Sequence, residues 1–163
     1  IAGLTGVTAI AAAYNHAIAL RSDGSVWGWG SNGNGKLGIG SNAANQFTPV
    51  VSGLASGITA IAAGGDNSMA LRSDGVVLVA GINEVGQLGA FTPGFSNTWV
   101  VVPGVTTAVA IAAGAQSATS HLFAVRADGS VIGWGWNNFG QVGTGATGAG
   151  VVPPAVVTGL NLN

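Results

Sequence analysis

The chain repeats one pattern three times, and this repetition constrains its fold more than any other feature. The run from Thr8 to Gly38 returns from Thr59 to Gly89, and again, with a three-residue insertion, from Val109 to Gly143. The period is about 51 residues. A repeat of this length is typical of a supersecondary unit that buries its apolar face only by stacking on copies of itself. We therefore expect three units, covering residues 7–57, 58–107 and 108–160.

Each copy carries four short strand signals, which in the first copy are Thr8–Ala13, Ala17–Leu20, Val26–Gly30 and Thr48–Val51. An Asp-Gly pair separates the second signal from the third, and Asp-Gly between two apolar runs predicts a hairpin turn. The pairs are 23–24, 74–75 and 128–129. Four short antiparallel strands in about 50 residues are typical of a β-propeller blade. The predicted fold is therefore all-β, with three blades that belong to a larger or oligomeric ring.

The repeated pattern resembles the regulator-of-chromosome-condensation repeat, a blade type of seven-bladed propellers. The resemblance covers essentially the whole chain, and the second copy departs from it because Ala80 stands where the other copies carry Trp29 and Trp134. The third copy matches at His121, Arg126, Asp128, Gly129, Trp134, Gly135, Asn137, Gly140, Gln141 and Gly143. The family includes a nucleotide-exchange factor that docks on chromatin and secreted bacterial inhibitors. The resemblance thus implies a propeller that binds proteins.

Most of the repeated residues are expected to have structural roles. His16 and His121 share one slot with Asn67, and because Asn replaces a hydrogen-bonding His but not a catalytic base, a structural role is favoured. Trp29 and Trp134 are predicted to lie buried between blades. An Arg near each hairpin turn completes this set, whose members are Arg21, Asp23 and Gly24, then Arg72, Asp74 and Gly75, then Arg126, Asp128 and Gly129.

Motifs that suggest cofactors do not meet their structural requirements. Residues 28–33 spell the dinucleotide fingerprint GxGxxG, but no helical periodicity follows it. Residues 30–36 approach a phosphate loop, but Leu37 replaces the Ser or Thr that would hold Mg²⁺. Outside the repeated motif, the charged residues are only Lys36, Asp66 and Glu84, and the chain has no cysteine. We predict no cofactor, no metal site and no catalytic residues.

Charge limits the classes of partner. Four basic residues are too few to build the phosphate-neutralising surface that nucleic-acid binding needs. The sequence also lacks a basic amphipathic helix suited to a membrane surface. Charged residues make up 6% of the chain, against roughly 25% in ordinary soluble domains. This deficit favours association, because an isolated soluble protein usually carries more charge than this.

Four aromatic residues fall where the other copies carry something else: Tyr14, Trp99, Trp136 and Phe139. Exposed aromatics are typical interface anchors, and the alternative is that these side chains pack against neighbouring loops. We interpret the chain as a non-catalytic scaffold that binds a protein partner or itself. The alternative is a structural subunit of an extracellular filament, a surface layer or a virion. An extracellular or cell-surface location is expected, and a cytoplasmic one stays compatible with the sequence.

The two ends of the chain stand at the same phase of the repeat. Residues 2–4, Ala-Gly-Leu, resemble residues 52–54 between copies and residues 158–160 near the end. Such a match is expected of a segment from a longer array, and equally of a protomer that closes a ring head to tail. We therefore expect the chain to contact further repeats of a longer parent chain or a second copy, and not to exist as a free three-bladed monomer.

Overall fold

A computed structural model describes residues 3–42, 45–54, 56–90, 94–114 and 117–161 of the chain. It contains three antiparallel sheets of four strands, each with its strands in chain order. The first sheet comprises β1 (Val7–Ala12), β2 (His16–Arg21), β3 (Val26–Gly30) and β4 (Gln46–Val51). The second comprises β5 (Ile58–Gly64), β6 (Asn67–Arg72), β7 (Val77–Ile82) and β8 (Phe95–Val101). The third comprises β9 (Ala108–Ala113), β10 (His121–Arg126), β11 (Ser130–Asn137) and β12 (Gly148–Asn161).

These sheets confirm the predicted blades. The described ranges contain no α-helix, and their only helical pieces are 3₁₀ turns at Gly33–Gly35 and Ser117–Thr119. β4 is an edge strand, a position that suits Pro49 because it needs no ladder hydrogen bond from proline. Ala2, part of the motif shared by the two ends, lies outside the described residues.

The hairpin turns lie at the predicted Asp-Gly pairs. In the first sheet, Gly24 has φ +78° and its amide donates to the Arg21 carbonyl at 2.9 Å. Glycine adopts this left-handed conformation without a Cβ penalty. Asp23 supports the same turn because its carboxylate accepts the Ser25 amide at 2.9 Å. The turns at Gly75 and Gly129 repeat this backbone hydrogen bond.

The first strand of each sheet lies at the inner edge of the array. β1 contacts β5, and β5 contacts β9, so the three inner strands are neighbours. Their Ala- and Gly-rich sequences permit this approach. A Cβ at Gly64 would lie 2.3 Å from the Gly114 carbonyl oxygen of the third sheet, closer than real Cβ contacts come. The repeated small residues therefore follow from the packing of the inner strands.

The apolar core lies between sheets, in two layers that we call joints. At the first joint, Ile18, Leu20 and Val26 of the first sheet pack on Ala70 and Leu78 of the second. The second joint has the same plan and comprises Met69, Leu71, Val77 and Val79 of the second sheet with Leu122, Ala124, Ile132 and Trp134 of the third. Each sheet thus has a leading face, turned towards the preceding sheet, and a trailing face, turned towards the following one.

The two repeat tryptophans differ in burial. Trp134 is fully buried at the second joint, where its indole nitrogen donates to the Gln87 carbonyl at 2.8 Å. Trp29 is only half-buried, so the prediction that both are buried between blades is wrong for Trp29. Its position on the leading face of the first sheet explains the difference, because no described residue forms a sheet in front of that face.

Ala80 holds the tryptophan slot at the first joint, and Trp99 supplies the indole there instead. Trp99 comes from the outer strand β8, packs against the first-joint core and donates to the Ser52 hydroxyl at 2.6 Å. A Cβ at Gly38 would lie 2.1 Å from its indole nitrogen. Each joint therefore receives one indole from the following sheet, although from different strands.

Candidate protein-binding surface

The described connections between strands lie at two opposite edges of the sheets. We call loop edge the side that holds residues 13–15, 31–42, 65–66, 83–90, 117–120 and 138–147. We call hairpin edge the opposite side, which holds the Asp-Gly turns. The division follows from the antiparallel order of the strands, because successive connections along such a sheet alternate between its two ends. Any surface built from the loops is therefore confined to one side of the molecule.

The two edges differ in exposed charge. The Arg and Asp residues of the repeat lie at the hairpin edge, where Arg21 pairs with Asp23 at 3.0 Å and Arg72 with Asp74 at 2.7 Å. The hydrogen bonds from Ser25 hold the pKa of Asp23 below its usual value. The loop edge contains Lys36, Asp66 and Glu84, and among these described residues only Glu84 is exposed. The loop edge is thus nearly uncharged at its surface.

Three of the four predicted contact aromatics lie at the loop edge. Tyr14 in the β1–β2 loop is 75% exposed, and Phe139 in the β11–β12 loop is 83% exposed. Trp136 stacks edge-to-face on Phe139 with ring centroids 5.3 Å apart. It lies within β11 and not in a loop, because that strand runs on to Asn137. Trp99 lies elsewhere, half-buried at the first joint, so its indole is used inside the molecule.

The His and Asn of the shared slot reach across the joints. His16 is buried at the first joint, with Nε2 2.9 Å from the Ser68 hydroxyl of the second sheet. Burial, with a contribution from the nearby Lys36 charge, lowers the pKa of His16 to about 4, so the ring is neutral at pH 7. At the second joint the Asn67 side-chain oxygen accepts a hydrogen bond from Ser120. The slot therefore joins two sheets.

His121 holds the same slot on the third sheet, whose trailing face is uncovered. Its ring is half-buried, lies edge-to-face with Phe123 at 5.8 Å, and has a pKa lowered by burial. No described residue accepts or donates a hydrogen bond to it. The three slot residues lie on three separate sheets, and the described residues include no group of three or more His, Cys, Asp or Glu side chains that could hold a metal ion there.

A buried ion pair joins the first two sheets, and the sequence does not predict it. Lys36 donates to the Asp66 carboxylate and, at 3.1 Å, to the Asn15 side chain, with only 3% of the Lys36 side chain exposed. Viewed in sequence, Lys36 and Asp66 are isolated departures from the repeat. The overlooked signal is that both departures fall on slots that face each other across one joint, with opposite charges.

The described residues contain no group of three His, Cys, Asp or Glu side chains placed to hold a metal ion. None of the helical segments among them is long and apolar enough to span a membrane. An open groove on the second sheet, bordered by Phe95, Val101 and Pro103, contains no ionisable side chain in its lining. The feature of the loop edge that is best suited to recognition is its exposed aromatics, Tyr14 and Phe139.

Comparison with known proteins agrees with this architecture. A family model described as regulator of chromosome condensation (RCC1) repeat matches residues 23–71 and 128–163, and a second model of that description matches residues 7–36, 58–87 and 108–141. The ultraviolet-B receptor UVR8 of Arabidopsis thaliana is 28% identical over 83% of this chain, and the regulator of chromosome condensation of Mus musculus is 30% identical over 90%. The chain spans 31% and 39% of the length of these two relatives.

A solved structure gives the same result for the fold. Yeast RCC1 (Prp20), in a complex with Kap60, superposes on 95% of this chain with a TM-score of 0.83 and 26% identity. The chain covers 37% of that protein. Because one of the two family models matches part of every sheet and more than half of the residues, the chain belongs to the regulator of chromosome condensation (RCC1) repeat family.

Proposed function

We propose that this chain is a non-catalytic β-propeller segment that binds a protein partner through its loop edge. The observation that carries the proposal is the edge-to-face pair of the exposed Phe139 and the half-buried Trp136, on an edge whose only exposed charge, among the described residues, is Glu84. Aromatic side chains are enriched at the centres of protein interfaces, where charged residues are depleted. The partner surface that fits this edge is apolar or neutral and polar.

The nature of the relatives supports a protein partner. The yeast protein of the same fold was solved in complex with Kap60, so that protein binds another protein. Nucleic acid is a poorer fit for this chain because its basic groups are already engaged. Lys36 is buried with Asp66, Arg72 pairs with Asp74, and Arg126 donates to the Gly104 carbonyl at 2.8 Å. Little positive charge is left to neutralise phosphates.

The distribution of titratable groups supports a non-catalytic role. His16 is buried and neutral, and the exposed Asp residues lie at the hairpin edge in turns and ion pairs. Catalytic sites gather such groups in one accessible cleft with a nucleophile or base in reach of substrate. The described residues of the loop edge carry no such arrangement.

The test is a partner-capture experiment with a matched control. Tagged wild-type chain is used to purify bound proteins from its native source, and each bound protein is quantified by mass spectrometry. Replacing Phe139→Ser should lower recovery of a stoichiometric partner roughly tenfold, as loss of an anchor worth more than 1 kcal/mol does. Val101→Ser changes an exposed apolar residue of the second sheet and should leave recovery unchanged. Equal recovery by both variants would contradict the proposal.

A second proposal concerns the sheets at the two ends of the array. Ile10, on the leading face of the first sheet, is 64% exposed, whereas Ile61 at the same position of the second sheet packs against the first-joint core. We propose that such open faces bind further blades, either of a second copy or of a longer parent chain.

A further inference from the structure

Two sheet faces of this molecule are uncovered. One is a leading face and the other is a trailing face, which is the combination that forms each joint inside the chain. The leading face of the first sheet presents Ile10, Trp27 and Trp29, of which Ile10 is largely exposed and the two tryptophans are half-buried. The trailing face of the third sheet presents Phe123 and Val125, which line an apolar hollow with Ala110 and Ala112. No described residue covers either face.

The covered joints show what should occupy these faces. Met69 and Leu71 hold the positions of Phe123 and Val125 on the second sheet, and the third sheet leaves them 0% and 4% exposed. On the opposite side, Leu78 holds the position of Trp27 and is buried against the first sheet. A trailing face is therefore complementary to a leading face, and this complementarity occurs twice within the chain.

Polar side chains at fixed positions of the repeat distinguish the trailing side of each joint from its leading side. The trailing side contributes one residue from the start of the second strand and one from the loop after the third strand. At the first joint these are His16 and Lys36, which reach Ser68 and Asp66. At the second joint they are Asn67, which accepts from Ser120, and Gln87, which donates to the Ala118 carbonyl at 2.7 Å.

The same two slots are present and unused on the third sheet. They hold His121 and Gln141, and neither the His121 ring nor the Gln141 amide nitrogen has a hydrogen-bond partner among the described residues. The receiving slot of the first sheet, equivalent to Asp66 and Ser120, holds Asn15, which is exposed and whose side-chain oxygen also accepts from Lys36 at 3.1 Å. The unused donors and the exposed acceptor thus lie on opposite end sheets of one chain.

We propose that the trailing face of the third sheet in one copy of this chain binds the leading face of the first sheet in a second copy, forming a third joint of the same kind. Arg21, at the hairpin rim of the leading face, is the one charged side chain there in the described ranges, and Asp23 neutralises it. The contact is heterologous: it joins different faces, so two copies that use both faces close a ring of six blades. This inference rests on the second proposal above, that the open faces bind further blades, and it does not depend on the function proposed for the loop edge.

Sedimentation of single-face variants tests the proposal. Wild-type chain at micromolar concentration should sediment at twice its 15.8 kDa mass, or as longer open assemblies. Ile10→Asp places a charge on the leading face and Val125→Asp places one on the trailing face, and each variant alone should be monomeric. Mixing the two should restore a dimer, because each variant retains the face that the other lacks. Val101→Asp, on the second sheet, should sediment as wild type.

Far-UV circular dichroism checks that every variant is folded, and Gln141→Glu replaces Val125→Asp if the latter fails to fold. Monomeric wild-type chain would overturn the proposal, as would assembly that neither variant weakens. Monomeric Ile10→Asp together with dimeric Val125→Asp would also overturn it, because that result indicates contact between two leading faces. Loss of partner capture by Phe139→Ser with unchanged self-association would separate this proposal from the function of the loop edge.

Discussion

The two joints of the molecule have the same apolar plan but different polar chemistry. At the first joint a buried ion pair of Lys36 and Asp66 accompanies His16, whereas the second joint uses neutral groups throughout, with Gln87 on a carbonyl and Asn67 on a serine. The slots are the same, and only their occupants differ. The repeat therefore fixes where sheets are hydrogen-bonded to each other and leaves open which groups do it.

This difference matters because the ion pair of the first joint can be converted into neutral contacts only if both of its residues are replaced together. Gln87 donates to a backbone carbonyl, which a residue of any type can supply, whereas Lys36 requires a negatively charged side chain in the following sheet. A buried charge without its partner is strongly destabilising. The charged joint is thus selective for its own pair of sheets, and the neutral joint accepts more combinations. Gln141, which holds this slot on the uncovered trailing face of the third sheet, is neutral like Gln87.

The largest expected effect is at the neutral joint. Trp134→Ala removes a fully buried indole and should lower the free energy of unfolding by about 4 kcal/mol, as other large deletions in cores do. Trp29→Ala, the matched change at the half-buried position, should cost clearly less when Val125→Asp keeps the chain monomeric and the leading face of the first sheet uncovered. Urea denaturation of both variants, with and without Val125→Asp, measures the difference. In the self-associating chain the two losses should be closer, because a second copy then covers Trp29, and equal losses in the Val125→Asp background would contradict the prediction.

The second prediction concerns the charged joint. Asp66→Ala leaves Lys36 buried without a counter-charge and should cost about 3 kcal/mol in urea denaturation. The double variant Lys36→Gln with Asp66→Asn gives the first joint the neutral chemistry of the second. It should recover most of that loss, since replacing a buried pair by neutral groups is often tolerated. A double variant no more stable than Asp66→Ala would show that the two joints are not interchangeable.

A third prediction uses pH to separate the joints. The folded pKa of His16 is about 4, below its ordinary value near 6.5, so on acidification the unfolded chain takes up the proton first. The stabilising contribution of neutral His16 is complete above pH 6.5 and is lost as pH falls from 6.5 to 4. Between pH 7 and pH 5 the free energy of unfolding should fall by about 2 kcal/mol from this group.

Two variants assign the pH effect. His16→Asn introduces the residue that the second sheet uses in the same slot and should remove most of the dependence between pH 7 and pH 5. His121→Asn, at the half-buried and uncovered position, should leave most of it in place. Urea titrations at both pH values provide the measurement. An unchanged dependence in His16→Asn would exclude the first joint as its source.

The blade fold was predictable because its signals are local and repeated. Each Asp-Gly pair marks a hairpin by its own backbone preferences, and the three copies agree. The burial of Trp29 was not predictable in the same way, since burial between blades depends on whether another sheet lies in front. A repeat pattern describes one blade and its neighbours, so it gives equal burial to Trp29 and Trp134.

The candidate surface was predictable in part. The departures of Tyr14 and Phe139 from the repeat indicated exposed positions, and the structure places both at the loop edge. The ion pair was missed because 30 residues separate Lys36 from Asp66, and only the stacking of the sheets brings them together. Comparing the residues that depart from the repeat at facing positions of adjacent copies would have revealed the ion pair.

The smallest expected effect is at the hairpin edge, where the same residue types form pairs in solvent. Arg72 donates from both Nε and Nη2 to the Asp74 carboxylate and lowers the pKa of that carboxyl, yet both side chains are more than a third exposed. Solvent and salt screen such a pair, and holding it together costs side-chain entropy. Arg72→Ala should therefore shift the urea midpoint too little to resolve, in contrast to Asp66→Ala at the first joint. A shift as large as that of Asp66→Ala would mean that a contact absent from the single chain buries Arg72 in solution. It would also mean that burial at a joint is not what makes one ion pair contribute more to stability than another.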